Sequence, residues 1–109
     1  MRSKLYKIIL ILMVTFMASA STKPNKIIFY HKPTCPFCKM ALHLLEASGI
    51  KESEIEMINV KEDGKALKEM HKKYGKTVPQ IIINGIHVGG CDDLMDTLDE
   101  GKFEALLKG

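Results

Sequence analysis

Runs of apolar positions recur along the chain, and their period changes from element to element. Residues 26–30 hold Ile27, Ile28, Phe29 and Tyr30 in succession, a β-branched and aromatic run that predicts a buried strand. From about Cys38 the period lengthens. Cys38, Ala41, Leu42 and Leu45 fall at i, i+3, i+4 and i+7, one face of a helix that Gly49 ends. Residues 55–60 predict a second strand, with Ile55, Met57 and Asn59 facing one way and Glu54, Glu56 and Ile58 the other. Leu67, Met70 and Tyr74 mark a second helix, with Gly75 as its stop. Gln80–Ile83 and Ile86–Gly89 are short apolar runs joined by Asn84-Gly85. That dipeptide predicts a hairpin, because a type I′ turn needs positive φ at both central positions. Cys91, Leu94, Met95 and Leu98 mark a third helix, and Phe103, Leu106 and Leu107 a short last one. The order β-α-β-α-β-β-α predicts an α/β fold with a four-stranded mixed sheet flanked by helices. Its first βαβ unit is parallel with a right-handed crossover, and its last two strands are antiparallel.

The first 20 residues follow a different logic. Arg2, Lys4 and Lys7 precede an apolar stretch over residues 8–17 that only Thr15 interrupts, and Ala18-Ser19-Ala20 follows. A basic start, a short apolar run and a small-x-small site describe a secretory signal. The run falls short of the roughly 18 apolar residues of a membrane-spanning helix. The expectation is export, to the periplasm in a bacterium or the secretory lumen in a eukaryote, with residues 21–109 as one domain. An uncleaved membrane anchor and a buried N-terminal helix are the alternatives. This segment also explains the formal charge of +3: the remaining 13 basic side chains balance the 13 acidic ones. No basic stripe is left, so nucleic acid is not an expected partner. A content of 46% hydrophobic and 27% charged residues excludes disorder, and three cysteines are too few for a disulfide scaffold.

Cys35-Pro36-Phe37-Cys38 sits between the first strand and the first helix. A thiolate there meets unpaired N–H groups and the positive end of the helix dipole, which stabilise its charge. Pro36 suits the first turn, where a missing N–H costs nothing. Side chains three apart on a helix have Cβ atoms about 5–6 Å apart, and a disulfide wants about 3.5–4.5 Å. A small adjustment therefore closes or opens the pair. Cys38 shares the apolar face with Ala41 and Leu42 and is expected to be buried. Cys35 precedes that face and is the expected nucleophile, with Cys38 resolving and Lys32 adding positive charge nearby. Zinc is the alternative, but it needs two more ligands. Cys91, His31, His43, His71 and His87 offer none in paired spacing, so no metal is expected.

At this point the chain resembles a glutaredoxin, over about residues 25–107. Three motifs carry the resemblance: Lys32-Pro33-Thr34-Cys35-Pro36-Phe37-Cys38, Lys76-Thr77-Val78-Pro79-Gln80, and Gly89-Gly90-Cys91-Asp92-Asp93-Leu94. The resemblance implies a thioredoxin-like fold and glutathione as co-substrate, with no other cofactor. It implies a cis Val78–Pro79 bond beside the cysteines, so that Thr77, Val78 and Pro79 offer backbone to the cysteinyl unit of glutathione. It places the γ-glutamyl carboxylate at Gly90 and Cys91, where a helix starts, with Asp92 for the α-ammonium. Lys32 and Lys76 become candidates for the glycine carboxylate, and Phe37 packs over the cleft. The plainer readings are surface lysines for Lys32 and Lys76, an N-cap for Asp92 and a small helix-start residue for Cys91.

Two features depart from the family's pattern: Phe37, where many relatives have Tyr, and the signal-like segment, since most relatives of this size are cytosolic. The expected activity is reduction of protein–glutathione mixed disulfides and protein disulfides by a monomer. An exported disulfide oxidase or isomerase is the first rival. A subunit-bridging iron–sulfur cluster is the second, and Pro36 argues against it because cluster-binding members usually have Gly or Ser there.

Overall fold

The computed structural model describes residues 24–108. Four strands, β1 (Ile27–His31), β2 (Ile55–Asn59), β3 (Gln80–Ile83) and β4 (Ile86–Gly89), form one sheet in the order β2-β1-β3-β4. β1 runs parallel to β2 and antiparallel to β3, and β3 pairs antiparallel with β4. The helices are α1 (Pro36–Ala47), α2 (Gly64–Lys73), α3 (Cys91–Asp99) and α4 (Phe103–Lys108). This is the mixed α/β sheet that the periodicity predicts. The signal-like segment at residues 1–20 lies outside the described residues. No described helix is long and apolar enough to cross a membrane.

Alternation along β1 and β3 divides the interior between the two faces of the sheet. Ile27, Phe29, Ile81 and Ile83 pack with Cys38, Ala41 and Leu45 of α1, Leu94 of α3 and Phe103 of α4. Tyr30 and Ile82 face the other way, against Val60, just after β2, and against Met70 of α2. At the hairpin, Asn84 and Gly85 have φ of 49° and 84°, as a type I′ turn requires. Asn84 also ties the turn down. Its side-chain oxygen accepts from the Lys26 N–H at 2.9 Å, and its amide donates to the Leu106 carbonyl at 2.9 Å.

Helix α1 begins at Pro36, two residues before the first apolar position of its face, because Pro36 fits the first turn and Cys35 caps it. Met57, expected on the buried side of β2, is 40% exposed, while Ile58 packs into the second cluster. β2 is an edge strand of a sheet covered on both faces, so strict alternation of burial fails there. Met95 is likewise 41% exposed, since α3 turns Cys91 and Leu94 inward. A short 3₁₀ turn at Glu52–Glu54 was not foreseeable from the apolar pattern. Its Glu54 carboxylate accepts from the Asn25 backbone and side-chain N–H groups.

Candidate active site

Cys35 is the N-cap of α1. The turn before it is closed by the Cys35 N–H donating to the Lys32 carbonyl at 3.2 Å. Its Sγ accepts the Cys38 N–H at 3.1 Å, so a helix-start donor points at the sulfur. Cys35 remains half-buried, whereas Cys38 is 3% exposed and part of the core. Burial first, then the hydrogen bond to Cys35, pushes the Cys38 thiol up to about 12. Burial also raises the Cys91 thiol, with Asp92 and then Cys35 adding to it. The two sulfurs of the Cys-x-x-Cys are thus unequal: one reachable and hydrogen-bonded by backbone, the other a neutral buried thiol.

The inequality predicts a pH dependence of stability in the reduced protein. A thiol whose value is raised by folding keeps its proton while the unfolded chain, at about 9.0, has released it. Stability is then fully present below pH 9 and falls as pH rises from 9 toward 12, by at most about 1.4 kcal/mol per pH unit for one thiol. Urea titrations between pH 7 and 10.5 should show this fall. Cys38→Ser should remove the larger part of it, and a slope unchanged in that variant would contradict the burial of Cys38.

Opposite Cys35 lies the loop before β3. Its Val78–Pro79 bond is cis, and the Val78 carbonyl is 3.8 Å from the Cys35 Sγ. Beyond it, β4 ends at Gly89 with φ of 116°, and Gly90 is the N-cap of α3. The Gly90 N–H donates to Asp93 Oδ2 at 2.9 Å. Asp93, not Asp92, therefore caps α3, which corrects the plainer reading of Asp92. Asp92 is exposed, with no hydrogen-bond partner among the described residues. The glycine at position 89 has an internal cause. A Cβ there would collide with the Asp93 carboxylate, and its φ disfavours any side chain.

Between these walls lies a groove of about 380 Å³, lined by Phe37, Thr77, Val78, Pro79, Gly90, Cys91 and Asp92 among others. Phe37 is 58% exposed at its rim. Seven of the residues singled out from sequence are thus brought to one cavity. Lys32 and Lys76 are exposed and do not line it. Lys32 instead borders a separate hollow of about 200 Å³ behind Cys38, with Pro33, Leu42 and Met57. Four further residues line the groove without having been read as site residues: Tyr74, Gln80, His87 and Asp93. Gln80 and Asp93 had usable signals, since both lie within the quoted motifs and Asp93 is also an acidic residue at the third position of a helix.

A Cys-x-x-Cys opening the helix after β1, with a cis-proline loop facing it across this sheet, makes the protein a thioredoxin-fold thiol–disulfide oxidoreductase. Comparison with known proteins narrows the class. The glutaredoxin family model matches residues 27–88. Glutaredoxin 1 of Rickettsia felis is 45% identical over 87 residues, covering 78% of this chain and 83% of that protein. Glutaredoxin 3 of Escherichia coli K12 is 44% identical over 82 residues, covering 72% of this chain and 93% of that protein. The solution structure of a glutaredoxin from Brucella melitensis superposes with a TM-score of 0.66 at 39% identity, covering 76% and 88% of the two chains. A buckwheat glutaredoxin solved as a glutathione complex superposes with a TM-score of 0.66 at 27% identity, covering 77% of each. The chain belongs to the glutaredoxin family.

Proposed function

We propose that the protein reduces protein–glutathione mixed disulfides, and protein disulfides, with glutathione as co-substrate. The observation that carries this reading is the groove that runs from the Val78 carbonyl, 3.8 Å from the Cys35 Sγ, to the start of α3. One wall offers backbone for main-chain pairing with a cysteinyl peptide. The other offers N–H groups of a helix start for a carboxylate and the unpartnered Asp92 for an ammonium. The buckwheat relative was solved with glutathione, which supports carrying that ligand to this groove. Lys32 and Lys76, outside the groove, are at most rim contacts.

The Cys35 thiolate attacks the glutathione sulfur of the mixed disulfide. The Cys35–glutathione bond forms, the protein–glutathione bond breaks, and the protein thiolate leaves and takes up a proton. A second glutathione thiolate then attacks the sulfur carried on Cys35. Glutathione disulfide departs and the Cys35 thiolate is restored. On a protein disulfide Cys35 forms the mixed disulfide, and Cys38 displaces the substrate by closing the Cys35–Cys38 bond. The protein works as a monomer.

A direct comparison tests the reading. One peptide carries glutathione on its cysteine, and the same peptide carries 2-mercaptoethanol. The glutathionylated form should react at least tenfold faster, and equal rates would remove the glutathione reading. The signal-like segment at residues 1–20 supports export and a second reading, oxidation or isomerisation of exported proteins. A reduction potential near about −200 mV fits the first reading, and one near −120 mV the second.

A further inference from the structure

Gln80 is the one buried polar side chain among the described residues, at 5% exposure. It opens β3 directly after Pro79, so it lies next to the loop that faces Cys35. Its amide is engaged at both ends. The Oε1 atom meets His87 Nε2 at 2.7 Å, and Nε2 donates to Thr77 Oγ1 at a longer 3.3 Å. Gly75, with φ of 137°, passes over the same amide: a Cβ there would lie 3.5 Å from Gln80 Nε2. On the other side His87 packs against Tyr74, with ring centroids 4.8 Å apart and the rings tilted by 43°.

The sheet register explains the meeting. Gln80 pairs with Tyr30 and His87 with Ile82, so all four point to the face that α2 covers. The pairing then moves from Ile82 with His87 to Ile81 with Gly89, leaving Val88 as an extra residue. That bulge lets β4 keep His87 beside Gln80 and still turn into Gly90 and α3. Bulges commonly re-aim chain and side chain in this way. A buried amide costs free energy unless both its ends are satisfied. His87 is the short, fixing contact, and it leaves the nitrogen end of the amide aimed at Thr77.

We infer that Gln80 is a positioning residue: its amide, fixed by His87, holds Thr77 and so keeps the backbone of Thr77 and Val78 set toward Cys35 for an incoming cysteinyl peptide. The substrate named here rests on the glutathione reading, but the positioning itself does not. Gln80 touches no reacting atom, so its loss should weaken substrate binding and spare the chemical step.

The test uses the full chain and two readouts. With a glutathionylated peptide, Gln80→Leu should raise KM three- to tenfold and leave kcat within twofold. Without any substrate, Gln80→Leu should speed amide hydrogen exchange at Thr77 and Val78 at least tenfold, with β1 amides unchanged. Should Gln80→Leu fail to fold, His87→Ala on the exposed edge strand removes the short contact together with the packing on Tyr74, and should shift exchange at Thr77 and Val78 in the same direction. Unchanged exchange at those two amides overturns the inference. A wild-type protein indifferent to glutathione would instead overturn the glutathione reading, and the exchange data would still decide the role of Gln80.

Discussion

Cys35→Ser should abolish turnover of both glutathionylated peptide and protein disulfide, while Cys38→Ser should keep most of the first and lose the second. The asymmetry follows from where the two sulfurs sit. Cys35 Sγ is reachable, receives the Cys38 N–H at 3.1 Å and lies 3.8 Å from the carbonyl of Val78, which borders the groove. A serine there has no thiolate to attack with, and no other group replaces it. Cys91 is 4% exposed with a raised thiol, so it does not stand in. Cys38 is buried and protonated up to about 12, so it does not start the reaction. In the proposed reaction it acts only after Cys35 holds a protein, which it displaces by closing the Cys35–Cys38 bond. Loss of at least a thousandfold is expected for Cys35→Ser on either substrate. For Cys38→Ser, loss of a similar size is expected on the protein disulfide and loss within about threefold on the glutathionylated peptide. Steady-state rates on the two substrates, with cooperative unfolding confirmed for each variant, check this. Activity retained by Cys35→Ser and lost by Cys38→Ser on both substrates would reverse the assignment.

The sheet, the hairpin and the active-site helix were legible in the sequence because each has a strong local cause. Asn84-Gly85 needs positive φ at two positions and takes it. Cys38, Ala41 and Leu45 recur at helical spacing and are buried. Burial on β2 and α3 was less legible. Met57 and Met95 obey the period of their elements, yet each is exposed because the neighbouring elements do not cover it. Long-range pairing was invisible for the same reason. Nothing local to Gln80 or His87 announces their contact, which depends on a bulge at Val88 and on the register of two strands. Lys32 and Lys76 illustrate the converse. They flank the right motifs in sequence, but the groove itself is walled by residues from the β3 loop and the start of α3.

The adjacent aspartates at the start of α3 separate binding from stability. Asp93 is spent within the fold, accepting the Gly90 N–H at 2.9 Å and occupying the space that Gly89 leaves open. Asp92 faces the groove and meets no partner among the described residues. If the γ-glutamyl α-ammonium meets Asp92, the contact is a hydrogen bond between charged groups. Such a contact contributes about 1.5–3 kcal/mol. At about 1.4 kcal/mol per decade, Asp92→Ala should weaken use of glutathione roughly tenfold to a hundredfold. Because Asp92 is not the cap, its loss should leave the unfolding free energy within about 0.5 kcal/mol of wild type. Asp93→Ala should lose about 1 kcal/mol of stability through the missing cap. Reaction of Asp92→Ala with dithiothreitol should stay near the wild-type rate, since Cys35 and its helix are untouched. The informative quantity is the ratio of the glutathione rate to the dithiothreitol rate in each variant. A ratio at the wild-type value in Asp92→Ala would detach the ammonium from Asp92 and leave the γ-glutamyl end of the proposed site without its charged partner. A fall in that ratio confined to Asp92→Ala, with a stability loss confined to Asp93→Ala, would assign the two carboxylates to different tasks one residue apart.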